Sequence, residues 1–255
     1  MSFPFVAALS DRAVTVEYPS TSQFRIGQLG MTEDGSLYRL CKAGSAITNM
    51  MEYLVTYHNF QGGVTGTCGE GALAEAIAAG DESCVITDAT NSRAADYWKG
   101  GYVIQPRLAA DNIRNIWKSD AEVSNTYRLH VTAPFTVADD VGNTVNWYPS
   151  PYADVRPATG GSPLGATYDR VIGYVGHAVT SGYYFWAKVR GPHWCHIGNG
   201  GWPGAAANDR AVCAYAGGTL AIAYDAWGSD KSLQYLGFLM YADNYGDAMI
   251  MLAIE

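Results

Sequence analysis

Two histidines and a cysteine fall within four residues at His193-Trp194-Cys195-His196, the densest set of metal-type ligands in the chain. In an extended strand His193 and Cys195 project to one face and His196 to the other, so the three cannot meet one ion without a bend. A structural zinc site takes four ligands, usually in paired spacings. The other histidines, His58, His130 and His177, stand in no paired motif. The expectation is no metal site, with Trp194 and Cys195 on opposite faces of a strand. A thiol nucleophile is the second chemistry to weigh. Thr67-Cys68-Gly69 precedes an Ala-rich segment, and a helix N-terminus there would lower the thiol pKa and offer N–H donors to an oxyanion. No spacing brings His58 or His130 to Cys68 as a base. Gly66-Thr67-Cys68-Gly69-Glu70-Gly71 lacks the Lys-Ser or Lys-Thr that a phosphate loop requires, and Glu70 would repel phosphate. There is no GxSxG elbow. Glycosidic chemistry needs two carboxylates facing each other across a cleft. Asp139-Asp140, Asp243 and Asp247 read more simply as turn residues. The expectation is therefore no enzyme, with no catalytic, cofactor-binding or metal residue and no cofactor.

Aromatic residues offer a different function. Trp98, Trp147, Trp186, Trp194, Trp202 and Trp227 would suit a sugar-stacking platform, although in strands core or interface packing is the commoner use. Trp202 and Trp227 lie in Gly-containing segments and fit a contact surface better. The 255 residues carry a formal net charge of -8, with charged residues at 16% and aromatics at 13%. Average soluble chains are about 25% charged, so this chain is charge-poor. It is too apolar for disorder, and its net negative charge argues against nucleic acid as a partner. No apolar run reaches the ~18 residues of a spanning helix. The start, MSFPFVAALSDRAVTVEYPS, has no basic n-region and no clear cleavage site, so no signal peptide is expected. Cys41, Cys68, Cys84, Cys195 and Cys213 are odd in number and form no CxxC pair. They read as reduced, mostly buried hydrophobes.

The elements that would position these residues are mostly short strands. Asp34-Gly35 marks a hairpin between 24–31 and 36–42, because Gly supplies the positive φ the turn requires. Further strands are expected at 52–57, 83–88, 101–105, 126–132, 144–148, 170–176, 182–189, 193–197, 211–215, 219–224, 235–241 and 247–254. Residues 70–79, EGALAEAIAA, fit a short helix ending at Gly80, and an extended segment is the alternative for so Ala-rich a run. Asp111–Lys118 fits a helix capped by Asp111, and alternation competes there. Such a series predicts an all-β fold, a β-sandwich or barrel-like body with few short helices. Composition shifts at the glycines near 62–71 and at the Pro/Gly-rich stretch 149–165 divide it into regions 1–66, 67–157 and 158–255, or one compact unit. The second stretch reads as a linker or surface arm, since Pro cannot donate to a central ladder. A faint internal repeat lays 26–44 on 172–190. Ile26, Gly27, Gly30, Tyr38 and Lys42 match Ile172, Gly173, Gly176, Tyr184 and Lys188.

Several segments carry a family likeness. FRIGQLGMTEDGSLYRLCKAGSAIT at the N-terminal side resembles the opening of a family of tailed-bacteriophage virion proteins, with a Gly-punctuated strand, a DG turn and a strand ending near KAG. AIAAGDESCVITDATNSRAADYWKGGYVIQ is similar to their middle region. VSNTYRLHVTAPFTVADDVGNTVNWYPSPYADV resembles the strand, Pro-led turn and YPSPY exit that follow. GYYFWAKVRGPHWCHI and LGFLMYADNYGDAMIMLAIE look like their closing region. The resemblance covers residues 20–255 and implies a head-associated decoration, or cement, protein, β-rich and oligomeric on a capsid lattice. It carries over no catalytic residue. The richness in Trp and Cys departs from the pattern and leaves the attachment surface open. The implied partners are the major capsid protein and the chain itself as a homotrimer, with neither nucleic acid nor membrane. The implied location is the capsid surface of a virion assembled in a bacterial cytoplasm. A tail- or fibre-associated protein and a carbohydrate-binding module are the alternatives.

Overall fold

A computed structural model of the chain describes residues 6–19, 24–56, 69–88, 93–105, 112–158, 170–197, 210–222, 234–242 and 247–254. Seventeen strands run through the described residues. The first four are β1 (Ala7–Ala8), β2 (Leu29–Met31), β3 (Leu37–Lys42) and β4 (Leu54–Thr56). Six follow in the middle of the chain: β5 (Gly69–Ala72), β6 (Ser83–Thr87), β7 (Tyr102–Gln105), β8 (Asn112–Ser119), β9 (Thr126–Val131) and β10 (Thr144–Tyr148). The last seven are β11 (Val155–Pro157), β12 (Val171–Gly173), β13 (Tyr184–His196), β14 (Ala211–Ala214), β15 (Leu220–Ile222), β16 (Tyr235–Ala242) and β17 (Asp247–Ala253). Helical structure among the described residues is limited to two 3-10 turns, Ala13–Thr15 and Ala216–Gly218. The fold is all-β. No described helix is long and apolar enough to cross a membrane.

The chain forms two compact units rather than three regions. Residues 58–150 make one, and 1–57 with 151–255 make the other. The N- and C-terminal regions belong together because β3 pairs antiparallel with β13 in one eight-stranded sheet, ordered β1-β2-β3-β13-β17-β16-β14-β15. A three-stranded sheet, β11-β4-β12, packs on it. Tyr53, Val55 and Val171 from that side share a core with Val189, Cys195, Leu236, Ile250 and Leu252. Where β3 meets β13, both faces are covered. Cys41, Phe185 and Ala187 face the small sheet, while Tyr38, Leu40 and Trp186 pack under Leu9 and Val14. That double burial is why 37–41 shows only a loose alternation. The Pro/Gly-rich stretch contributes β11 at the edge of the small sheet, with Pro157 at its end; residues 159–165 lie outside the described residues.

Strand β13 runs unbroken through Pro192, where composition predicted two strands. Beyond Arg190 it pairs with β17 and has left β3. His196 N–H, two pleats further on the same side, reaches Met51 O at 3.1 Å rather than β17. The missing donor of Pro192 therefore falls on the side away from β17, where no ladder bond is lost. The Tyr and Lys matches of the internal repeat turn out to face each other crosswise. Tyr38 pairs with Lys188 and Lys42 with Tyr184. Each ammonium lies over the opposite ring, at 5.5 and 5.8 Å.

The middle unit is a six-stranded antiparallel sheet, β5-β10-β7-β8-β9-β6, that closes on itself. Leu73, directly after β5, bridges Ile86 of β6, and Ala74 N–H donates to Val85 O at 2.8 Å. Its interior holds Trp98, Trp147, Tyr127, Phe135 and Ile116. Trp147 fills it because its cross-strand neighbours on β5 are glycines. An added Cβ at Gly69 would lie 1.8 Å from the indole, and one at Gly71 2.9 Å. Residues 70–79 are thus not a helix. Their first half is the part of β5 and its extension that closes this sheet between β10 and β6, and Ile77 is held by paired bonds to Asp139 of 2.8 and 2.9 Å. Residues 112–119 are likewise strand, with Asn112, Ile116 and Ser119 buried.

Both units repeat one backbone device. In the first, Ala43 binds Tyr183 and Gly182, and Ile47 exchanges two bonds with Val179. In the second, Leu73 binds Asn143 and Gly142, and Ile77 exchanges two bonds with Asp139. Gly182 and Gly142 occupy the same place with φ of 84° and 85°. Neither has an atom within 4 Å of where a Cβ would stand. Gly182→Ala and Gly142→Ala therefore suffer backbone strain without a clash. Each is expected to lose about 1–2 kcal/mol, read as a lower denaturant midpoint with unchanged slope.

Candidate interaction surface

The His193–His196 segment lies on β13, and its side chains diverge. Cys195 is fully buried with its Sγ toward Ala248 O at 3.6 Å, while Trp194 is 41% exposed on the opposite face. His196 pairs with Asp247 through Nδ1···Oδ1 at 2.6 Å. His193 turns to the Tyr174 ring, 4.5 Å between centroids. Among the described residues no three His, Cys, Asp or Glu gather as a metal set. Burial pushes the Cys84 and Cys195 thiols up to about 12 and Cys213 to about 11, which favours the neutral thiol of a packed side chain. Cys68 and His58 lie outside the described residues, as do Asp243, Trp202 and Trp227.

Asp139 is buried and belongs to a polar network. It accepts from Gln105 Nε2 at 3.2 Å, Asn143 Nδ2 at 2.5 Å and Asp140 N–H at 3.0 Å. Gln105 in turn accepts from Asn112, whose Oδ1 takes Thr136 N–H and Oγ1. This chain ties the 135–143 loop to the ends of β7 and β8, a structural use that satisfies buried polar groups.

His193 carries a pH consequence. Burial, reinforced by the Lys188 ammonium and opposed by the Met50 carbonyl, lowers its pKa from 6.5 to about 4. Between those values the unfolded chain takes a proton that the folded one refuses. Its contribution is therefore complete above pH 6.5 and is lost as pH falls toward 4, at up to about 1.4 kcal/mol per pH unit. Stability measured across that window is expected to drop as pH is lowered from 6.5 to 4, and His193→Gln to flatten the slope. An equal slope in the variant would remove His193 as its source.

The feature that remains is a surface. On β17, Ala248, Ile250 and Leu252 point into the core, while Met249 and Met251 take the other face. Met249 pairs with Trp194 on β13 and Tyr241 on β16; Met251 pairs with Pro192 and Phe238. Phe238, Met240 and Tyr241 are 44%, 47% and 60% exposed. A whole aromatic side chain offers roughly 200 Å², so Trp194, Phe238 and Tyr241 alone leave about 300 Å² open. That already reaches the patch size associated with interaction sites, before the methionines are added. No protein-family model, curated protein or solved structure matches the chain. Of the tryptophans named above, Trp98, Trp147 and Trp186 are core residues and cannot stack on a sugar. The face itself was foreshadowed by one signal. DAMIMLAI is apolar at both parities, which fits a strand covered on both sides, yet here one side is open.

Proposed function

We propose that the chain is a structural protein of a tailed-phage virion, a cement protein that sits on the outer head and contacts the major capsid protein. The observation that carries this reading is the Met- and aromatic-rich outer face of β13, β16 and β17. Such composition, poor in Lys and Glu, is that of interface cores, and methionines adapt to a partner's contour. One face of this size is smaller than the ~800 Å² each partner contributes to a standard interface. Self-association into a homotrimer answers that shortfall, because linked weak contacts bind together through effective concentration. Light scattering at micromolar concentration is expected to give a mass several times that of one chain. Undecorated heads are expected to bind it saturably, and to keep it at about half-molar salt, where charge pairs are screened. A monomer that never binds heads sinks the proposal, and capture by purified tails would replace it with a tail-associated role.

A further inference from the structure

The middle unit presents a second open surface of different chemistry. Ile113, Asn115 and Trp117 line the outer face of β8, and Tyr102 of β7 stands directly across from Asn115. Trp117 is 47% exposed and Tyr102 41%. The ladder between β8 and β9 slips at this point. Ile116 pairs with Val131 and Lys118 with His130, so Trp117 is the extra residue of a bulge. Bulges commonly re-aim a side chain at a site. The Trp117 indole sits 5.7 Å from the His130 ring. His130 Nε2 meets Asp120 Oδ2 at 3.1 Å, and Lys118 Nζ meets Asp120 Oδ1 at 2.7 Å.

We propose that this face is a saccharide-binding platform for gluco-configured pyranose chains. A pyranose whose hydroxyls are equatorial carries its axial C–H groups on its two flat sides, and those pack on an indole or phenol ring. Its rim of hydroxyls then needs acceptors and donors in the plane around the aromatic. Asn115, His130, Asp120 and Lys118 supply both kinds. The Lys118 and His130 hydrogen bonds hold the Asp120 carboxyl below its ordinary pKa, so it remains an acceptor near neutral pH. The face on β13, β16 and β17 differs because Met, Phe and Pro dominate it and offer few partners to hydroxyls. A nucleic-acid strand would also stack on Trp117, but Asp120 and the net charge of -8 oppose phosphates.

The test is calorimetric titration of the full chain with cellohexaose and with chitohexaose. At least one is expected to bind at millimolar or lower concentration. Trp117→Ala is expected to weaken that binding at least tenfold, Trp117→Phe to keep part of it, and Asp120→Asn to weaken it severalfold. Trp117 is half exposed and lies outside the buried interior, so the Ala variant is expected to melt within a few degrees of the parent, which separates lost binding from lost fold. Trp194→Ala, on the other face, is expected to bind the glycans unchanged. The inference is overturned if neither oligosaccharide binds, or if Trp117→Ala binds as the parent does. It is also overturned if Trp117→Ala changes only the oligomeric mass. None of these outcomes bears on head binding, which is measured separately.

Discussion

Truncation of Trp147 to alanine is expected to destabilise the middle unit by roughly 3–5 kcal/mol, a large share of the 5–15 kcal/mol that usually holds a domain. The indole is fully buried, lies over Gly69 and Gly71, and packs edge-on against Trp98 at 6.3 Å. Nothing local can refill that space, because the β5 residues facing it have no side chains. The reciprocal change tests the same contact from the other side. A Cβ at Gly69 has no room unless the indole moves, so Gly69→Ala is expected to destabilise as well, by an overpacking cost of about 1–3 kcal/mol. Because the two changes share one contact, their double variant is expected to depart from additivity. Equilibrium unfolding in denaturant reads all three. A Trp147→Ala midpoint within error of the parent would mean that the interior is not built on this residue.

The second large effect concerns the proposed docking face. Trp194→Asp combined with Tyr241→Asp is expected to weaken binding to undecorated heads at least 100-fold, about 2.7 kcal/mol. Exposed aromatics at the centre of an interface are the usual energetic anchors, and two buried, unpaired carboxylates would oppose docking outright. Both side chains point to solvent, so the thermal midpoint is expected to stay close to that of the parent. The oligomeric mass is expected to be unchanged. If mass falls and head binding by the remaining protomers persists, the face is a subunit contact and not the capsid contact. If neither changes, it is no interface.

Many strand positions were legible because strand signals are local. Residues 83–87, 126–131, 144–148 and 247–253 are strands where β-branched and aromatic residues lie between turn-formers. Gly35 has the φ of 80° that the Asp-Gly turn demands. The helix expected at 70–79 failed because its Ala-rich propensity is weak against partners distant in sequence. Trp147 needs glycines at 69 and 71, and Asp139 takes the backbone of Ile77. The segment 112–119 carried both periods, and pairing with β7 and β9 chose the strand. Trp117 would share a face with Ile116 in a helix; the strand buries Ile116 and sets Trp117 on the outer side beside Ile113 and Asn115.

Composition and short-range pattern by themselves determined that this chain is all-β, charge-poor and turned by glycines, because φ preference and side-chain alternation act over a few residues. Even the Tyr and Lys matches of the repeat were visible as a spacing. Tertiary structure alone decided what those residues meet. It joined the two ends of the chain through β3 and β13, set Tyr38 opposite Lys188, and repeated one crossing at Ile47 and Ile77 where only Ala46/Ala76 and Ile47/Ile77 match in 42–47 and 72–77. It also sent three tryptophans inward and left Trp117 and Trp194 outside. Those outcomes depend on which strands close against each other, and that is settled by packing between residues from about 60 to 150 positions apart, as Ile77 with Asp139 and Tyr38 with Lys188, which no local pattern encodes.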